Sequence, residues 1–372
     1  MRRRVVVAVL SSAFLLMAAC GSGDEETDGS DSSAGQETET DDATERSDES
    51  GDAPATDKTN DATADEEGSD SDTDEATTDT DESTASSYPI TVDHNFGSTT
   101  IEARPERVVT LNVQWTDAMV AMGQAPTAYV LSAFAGETDL YPWQVGLLDD
   151  AERIDAVEGL PFEAIAALQP DLILFTFATR DPGDYETLSA IAPTIAGVSD
   201  LQVDPWSDQV RVLGQVLDDP DTAEAVIASV DGEVAELAAV LPGLAGKTYT
   251  FANYVPGDSI YVIADPDDGA SELFNGLGME LDPDIVALDT AVVGRIQISL
   301  EEIGLLQADL VGVLLNGTDP SEVIGLDTLP SSQSGALIDF AFADVVGLNT
   351  PTPLSVPYLL ELMRPSLELV GG

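Results

Sequence analysis

The sequence predicts an α/β fold in which two lobes are joined by one long helix. Three observations predict it. Short apolar runs alternate with amphipathic stretches between residues 88 and 372. Those 285 residues are enough to build two lobes with real cores. A helical run interrupted only by Gly232 spans Thr222–Leu241 in mid-chain, and its 20 residues would reach about 30 Å, the width of a small domain.

The elements follow in order. Arg107–Asn112 reads as a buried strand, followed by a helix over Thr116–Met122 that Gly123 ends, and a second strand over Thr127–Leu131. Phe162–Leu168 is a short helix, and Pro170-Asp171 leads into the strongest apolar strand, Leu172–Phe177. Pro182 opens a helix through Ile191 that Ala192-Pro193 stops, and Pro205 opens another to Leu217. Asp219-Pro220-Asp221 starts the long helix, and Pro242-Gly243 closes it. The alternation then resumes with strands 247–254 and 259–264, helices 270–277 and 299–306, strand 309–315, and an apolar C-terminal helix over Ser355–Leu369. The resulting division is an N-terminal lobe over 88–218, an interlobe helix over 219–242, a C-terminal lobe over 243–352 and a helix with tail over 353–372.

Two further segments precede the lobes. Arg2, Arg3 and Arg4 followed by the apolar run Val5–Ala19 have the layout of an export signal, too short and wrongly flanked for a membrane span. Leu16-Met17-Ala18-Ala19-Cys20 resembles a bacterial lipobox, which implies cleavage after residue 19 and a lipid on Cys20. Met17 departs from the usual Leu, Val or Ile. Cys20 is the chain's single cysteine, and lipidation explains an unpaired thiol in an exported protein. Residues 20–87 form an acidic linker: 21–87 hold 25 Asp plus Glu against Arg46 and Lys58, with no Val, Ile, Leu, Phe, Tyr or Trp. Such a stretch cannot bury enough apolar surface to offset its ordering, so it is expected to be a disordered, self-repelling tether. As a coil it would span roughly 45 Å.

Of 70 acids and 13 bases, 45 and eight lie in 88–372, a formal balance near −37. Such a surface repels nucleic acid and anionic lipid, which excludes nucleic-acid binding. An acid-rich surface with Lys247 as its one lysine is also what halophiles use to stay soluble.

The folded part resembles the iron–siderophore and cobalamin class of ABC-transporter substrate-binding lipoproteins. The resemblance rests on Tyr88-Pro-Ile-Thr-Val-Asp-His-Asn-Phe-Gly97, Ile101-Glu-Ala-Arg-Pro-Glu-Arg-Val-Val-Thr110, Leu160-Pro-Phe-Glu-Ala-Ile-Ala-Ala-Leu-Gln-Pro-Asp-Leu-Ile-Leu174 and Tyr185-Glu-Thr-Leu-Ser-Ala-Ile-Ala-Pro-Thr194, in this order after a lipobox. It implies a type III periplasmic-binding-protein-like architecture: two three-layer α/β lobes, a single rigid helix between them, and a ligand cleft between the lobes. It also implies a ferric siderophore as ligand, with the iron held by the chelator and no cofactor. The partners would be an ABC permease with its ATPase, and the membrane through the lipid, for a monomeric receptor outside the cell. A cobalamin or haem receptor of the same fold is the nearest alternative, and a cell-surface lipoprotein enzyme or adhesion module the alternative from another class.

The family places one permease-docking glutamate on each lobe. The Phe-Glu-x-Ile-x-x-Leu-x-Pro-Asp segment makes the first Glu163, and Ser299-Leu-Glu-Glu-Ile303 makes the second Glu301. A glutamate in a first helical turn also complements the helix dipole, so its presence alone does not assign docking. Ligands of α/β folds meet the loops after the strands' carboxyl ends. Those loops offer Gln114, Trp115, Tyr141, Trp143, Phe177 and Arg180 from the first lobe, and Tyr254 and Arg295 from the second, with Asn112, Phe134, Asn253 and Asn316 beside them. Trp143 could equally anchor a surface loop, and Tyr129 is better read as core. Aromatic and arginine side chains suit a bulky chelate with polar oxygens around its metal. Eight basic residues are few for a highly anionic ferric catecholate, so a neutral or cationic hydroxamate chelate fits better.

Other chemistries find little support. Bare-metal capture needs clustered histidines and carboxylates, and the chain has one histidine, His94. A hydrolase triad would have to use that same His94, and no Gly-x-Ser-x-Gly elbow, Gly-x-Gly-x-x-Gly or P-loop pattern occurs.

Overall fold

In the computed structural model, the described residues are 87–131, 140–156, 159–176, 182–199, 201, 203–288 and 294–372. The signal, Cys20 and the acidic linker lie outside them. The first two strands, β1 (Ile90–His94) and β2 (Gly97–Ile101), form an antiparallel hairpin with His94 opposite Gly97. Its turn is stitched to the lobe behind it: Asn95 N donates to Gly197 O at 2.8 Å, and Thr99 Oγ1 to Thr194 O at 2.7 Å.

The N-terminal lobe is a parallel sheet in the order β5-β4-β3-β6-β7. Its strands are β3 (Val108–Thr110), β4 (Ala128–Leu131), β5 (Glu152–Asp155), β6 (Leu172–Leu174) and β7 (Thr194–Ile195). Its helices are α1 (Val113–Ala121), α2 (Phe162–Ala167), α3 (Pro182–Ser189) and α4 (Trp206–Val216). Successive strand residues point to opposite faces. Val108, Leu172 and Leu174 accordingly join Trp115 and Met119 of α1 and Val210 and Leu213 of α4 in one apolar cluster. Val109 and Ile173 join Ile165 of α2 and Leu188 of α3 in another. A sheet covered on both faces is the three-layer arrangement, and it explains why β3 and β6 read as unbroken apolar runs.

The long helix is α5 (Pro220–Val240), 21 residues. Asp219 caps it by accepting from Thr222 N at 3.2 Å, and Pro220 sits in its first turn, where its missing N–H costs nothing. Its first half crosses α4 closely, with Ala223 against Gly214, and its second half packs on the C-terminal lobe.

That lobe holds β8 (Thr248–Tyr254), β9 (Ile260–Ile263), α6 (Glu272–Gly276), β10 (Glu280–Leu281), α7 (Pro283–Val286), β11 (Arg295–Ile298), β12 (Leu310–Leu314), α8 (Pro330–Ser334), β13 (Leu337–Asp339), α9 (Phe342–Asn349) and α10 (Ser355–Gly371). Its sheet runs β11-β9-β8-β12-β13, with β10 paired to the start of β8. β8, β12 and β13 are parallel, whereas β9 and β11 add an antiparallel edge. One face (Ala252, Val311, Val313) packs on Ile303, Leu306 and Leu329. The other (Tyr249, Phe251, Leu310) packs on Phe274, Leu359 and Met363, in the cluster that already contains Ile227 and Val230 of α5 and the first lobe's Val210. One apolar core thus runs from lobe to lobe through the long helix.

The expected elements stand within a few residues of where the pattern put them, with two changes. The helix expected over 299–306 is a 3₁₀ stretch, Leu300–Leu305, and the one over 270–277 is a 3₁₀ turn followed by the short α6. β5, β7, β10, β11, β13, α7, α8 and α9 are additions to the expected set.

Candidate functional site

The carboxyl ends of β3 and β6 deliver Leu111–Val113 and Phe175–Thr176, and those of β8 and β12 deliver Tyr254 and Asn316. Asn112 is committed to its helix, its Oδ1 accepting from Trp115 N at 3.0 Å. In the second lobe, Asn316 sits in the left-handed region (φ 51°) and its Nδ2 donates to Asn253 Oδ1 at 2.6 Å and Tyr254 O at 2.8 Å. That clamp fixes the β8 and β12 ends together and leaves Tyr254 half-buried. Phe134, Phe177 and Arg180 lie outside the described residues.

Trp115 is not in the cleft. It is fully buried in the core, and its indole N–H donates to Phe175 O at 3.2 Å. Helical periodicity turns position 115, one turn from the cap, onto the sheet rather than toward the strand's end. Gln114, 1 % exposed, is half committed: its Nε2 donates to Asp204 O (3.1 Å) and to Pro351 O of the C-terminal lobe (3.2 Å), while its buried Oε1 has no hydrogen-bond partner among the described residues.

Tyr141 and Trp143 are also buried, and they build a joint between the lobes. Their rings stack at 4.8 Å with 2° between planes, and Trp143 meets Tyr358 of α10 at 5.5 Å. A Cβ added at Gly347 of α9 would lie 3.0 Å from the Trp143 ring, so the indole seats against bare backbone. At the centre is Asp117 of α1. Its Oδ2 accepts from Trp143 Nε1 and from Thr352 Oγ1, both at 2.7 Å, and its Oδ1 accepts from Gln144 Nε2 at 2.6 Å. Thr352 belongs to the α9–α10 connection, so one first-lobe carboxyl holds the second lobe. Burial pushes Asp117 up to about 6, with the three donors pulling the other way. Sequence reasoning missed Asp117, Gln144 and Thr352. The available signal was an acid between Trp115 and Met119 on a buried helix face.

Arg295 opens β11 beside this joint. Its guanidinium pairs with Asp268 at 3.3 Å and donates to Asn349 Oδ1 at 3.0 Å, leaving its side chain 23 % exposed. The sequence offered it as a loop cation for the cleft, but the fold brings it an acid from 27 residues away. His94 has a structural role: its Nδ1 accepts from Phe96 N at 3.2 Å, its Nε2 lies 3.0 Å from Thr99 Oγ1, its ring meets that of Tyr185 at 5.3 Å, and burial lowers its pKa.

Glu163 lies exposed in the first turn of α2. Glu301 lies exposed in the first turn of the 3₁₀ stretch that follows β11. There the capping is done by its neighbour: Glu302 Oε2 accepts from Ser299 N at 2.9 Å, and this bond with that from the Ser299 hydroxyl lowers the Glu302 pKa. Glu301 is therefore spare.

Known proteins resemble this chain in sequence and in fold. The probable siderophore-binding lipoprotein YfiY of Bacillus subtilis is 34% identical over 179 residues, covering 47% of this chain and 53% of its own. The ferric-anguibactin-binding protein FatB of Vibrio anguillarum is 29% identical over 158 residues, covering 41% and 47%. The chain thus spans about half the length of the curated relatives it matches. A crystal structure of a periplasmic solute binding protein from Mycobacterium smegmatis superimposes with a TM-score of 0.64 at 25% identity, covering 76% of this chain and 99% of that one. The family described as periplasmic binding protein matches residues 108–329, which run from β3 into the second lobe up to the residue before α8, and to that family this chain belongs.

Proposed function

We propose that the chain is the extracytoplasmic substrate-binding component of an ABC importer, capturing a ferric siderophore between its lobes and delivering it to a membrane permease. The observation that carries this is the family match across both lobes, and the relatives named for siderophore and ferric-anguibactin binding support the ligand class. Cys20 would carry the lipid anchor and the acidic linker would serve as its leash, raising the receptor's effective concentration at the membrane.

The charge arrangement supports a hydroxamate-type chelate. Among the described residues, at least five of the lobes' eight basic side chains are already engaged. Arg107 donates to the carbonyls of Leu168 and Gln169, Arg211 pairs with Asp208 and Glu224, Lys247 with Asp309, Arg295 with Asp268 and Arg364 with Glu361. So few cations suit a highly anionic catecholate poorly. Tyr254, Phe177 and Arg180 are the proposed ligand contacts, and Arg295 would join them only by leaving Asp268. In a fluorescence titration, ferrioxamines should bind and catecholates of the enterobactin type should not. The reverse result overturns the hydroxamate assignment. Native mass spectrometry showing no adduct with any ferric siderophore overturns the whole reading.

Glu163 and Glu301 are the proposed permease contacts, one per lobe. The substitutions E163A and E301A should leave chelate affinity unchanged while each weakens docking about tenfold, the worth of a hydrogen bond to a charged group. Uptake by cells carrying both substitutions at the wild-type rate would remove the assignment.

A further inference from the structure

A second concavity lies away from the strand ends. It has a volume of about 260 Å³ and is bounded by α4, the long helix α5, and α6, α9 and α10 of the C-terminal lobe. Its walls include Val234, Leu273 and Leu359, and two carboxylates, Asp231 and Glu272, stand among them with Trp206. Asn112, Tyr254, Arg295 and Asn316 do not line it, so it is distinct from the cleft.

The chemistry of this groove is specific. A dry cavity of about 150 Å³ holds a benzene ring, so this one accommodates a short hydrocarbon. Among the described residues, its lining contains no basic side chain to neutralise the two acids. Loss of solvation, then the charge of Asp231, push the Glu272 pKa up, with the nearby Trp206 indole pulling the other way. Among the described residues no group of three or more His, Cys, Asp and Glu side chains could hold a metal ion. A bare metal ion would also waste the apolar walls.

We propose that the groove is a second ligand site for a small amphiphilic organic cation, its ammonium group between Asp231 and Glu272 and its hydrocarbon on Val234, Leu273 and Leu359. The site fills independently of the cleft. Because its walls come from the first lobe, the long helix and the second lobe together, an occupant braces all three against one another.

The test is calorimetric titration of the full chain with n-hexylammonium chloride, with n-hexanol as the uncharged probe. The ammonium should bind at one site, with the same affinity whether or not ferrioxamine fills the cleft, and the alcohol should bind more weakly. D231N and E272Q should each weaken ammonium binding about tenfold, as expected for losing a hydrogen bond to a charged group. Asp231 and Glu272 are both exposed residues, so both variants should fold. No binding heat with hexylammonium, equal affinity for hexanol, displacement by ferrioxamine, or unchanged affinity in folded variants each overturns the proposal. The alcohol comparison needs no variant.

Discussion

Asp117 shows how much rests on a single side chain. In the unfolded chain its carboxyl ionises near the ordinary aspartate value of about 3.9. In the folded chain it does so at about 6. The native state therefore holds the extra proton between those values, and the stability this group contributes is full below the lower one and lost as pH rises through the upper. The loss is on the order of 3 kcal/mol by neutral pH. Asp117→Asn should flatten that dependence in urea unfolding measured between about pH 4 and 7, and an unchanged slope would place the titration elsewhere. Asp117→Ala should cost about 3 kcal/mol or more, since it leaves three buried donors at the joint without an acceptor. The sequence revealed that Tyr141 and Trp143 matter but not how. Distance along the chain from a strand end does not say whether an aromatic ring turns to the cleft, as expected, or into the joint, as found. The spare state of Glu301 was equally hidden, because only the capping geometry shows that Glu302 does the helix's work.

Among the elements, the long helix was the most legible, because Asp219 and Pro220 mark its start chemically and no proline interrupts it. β5 was not. Of Glu152-Arg-Ile-Asp155 only Ile154 is buried, so an edge strand left mostly polar gives no apolar run to detect. β11 is only four residues long, with Ile296 and Ile298 buried between polar positions, too short an alternation to stand out. Two glycines on neighbouring helices make a paired prediction. A Cβ at Gly214 of α4 would sit 2.5 Å from the Ala223 Cβ of α5, so Gly214→Ala should destabilise by about 1–3 kcal/mol as overpacking outweighs better helix propensity. A Cβ at Gly232 of α5 meets nothing within 4 Å, so Gly232→Ala should stabilise by about 0.5–1 kcal/mol. Thermal or urea unfolding of the two variants checks both signs.

For the whole molecule, two long-range properties dominate: one continuous core and a large negative charge. Because Ile227 and Val230 of α5 belong to the apolar cluster that holds Val210 of one lobe and Phe274 of the other, the lobes should unfold together in one transition. Two separated transitions in calorimetry would show instead that the clusters act apart. The charge works against compactness, since like charges repel across the surface. Raising sodium chloride shortens the screening length from about 30 Å at 0.01 M to about 8 Å at 0.15 M. The melting temperature should therefore climb with salt over that range, and a flat response would mean that the acids are already neutralised locally.

The bracing of both lobes by α5 also bears on timing. If the protein captures a chelate as proposed, a cleft whose walls are fixed by a shared core needs little rearrangement on its arrival, so encounter would be governed by diffusion and by the field around the mouth. Differences among chelates should then appear mainly in how long each stays rather than in how fast it enters. Under the proposed function the protein would discriminate by residence, and a permease would have to act within that interval.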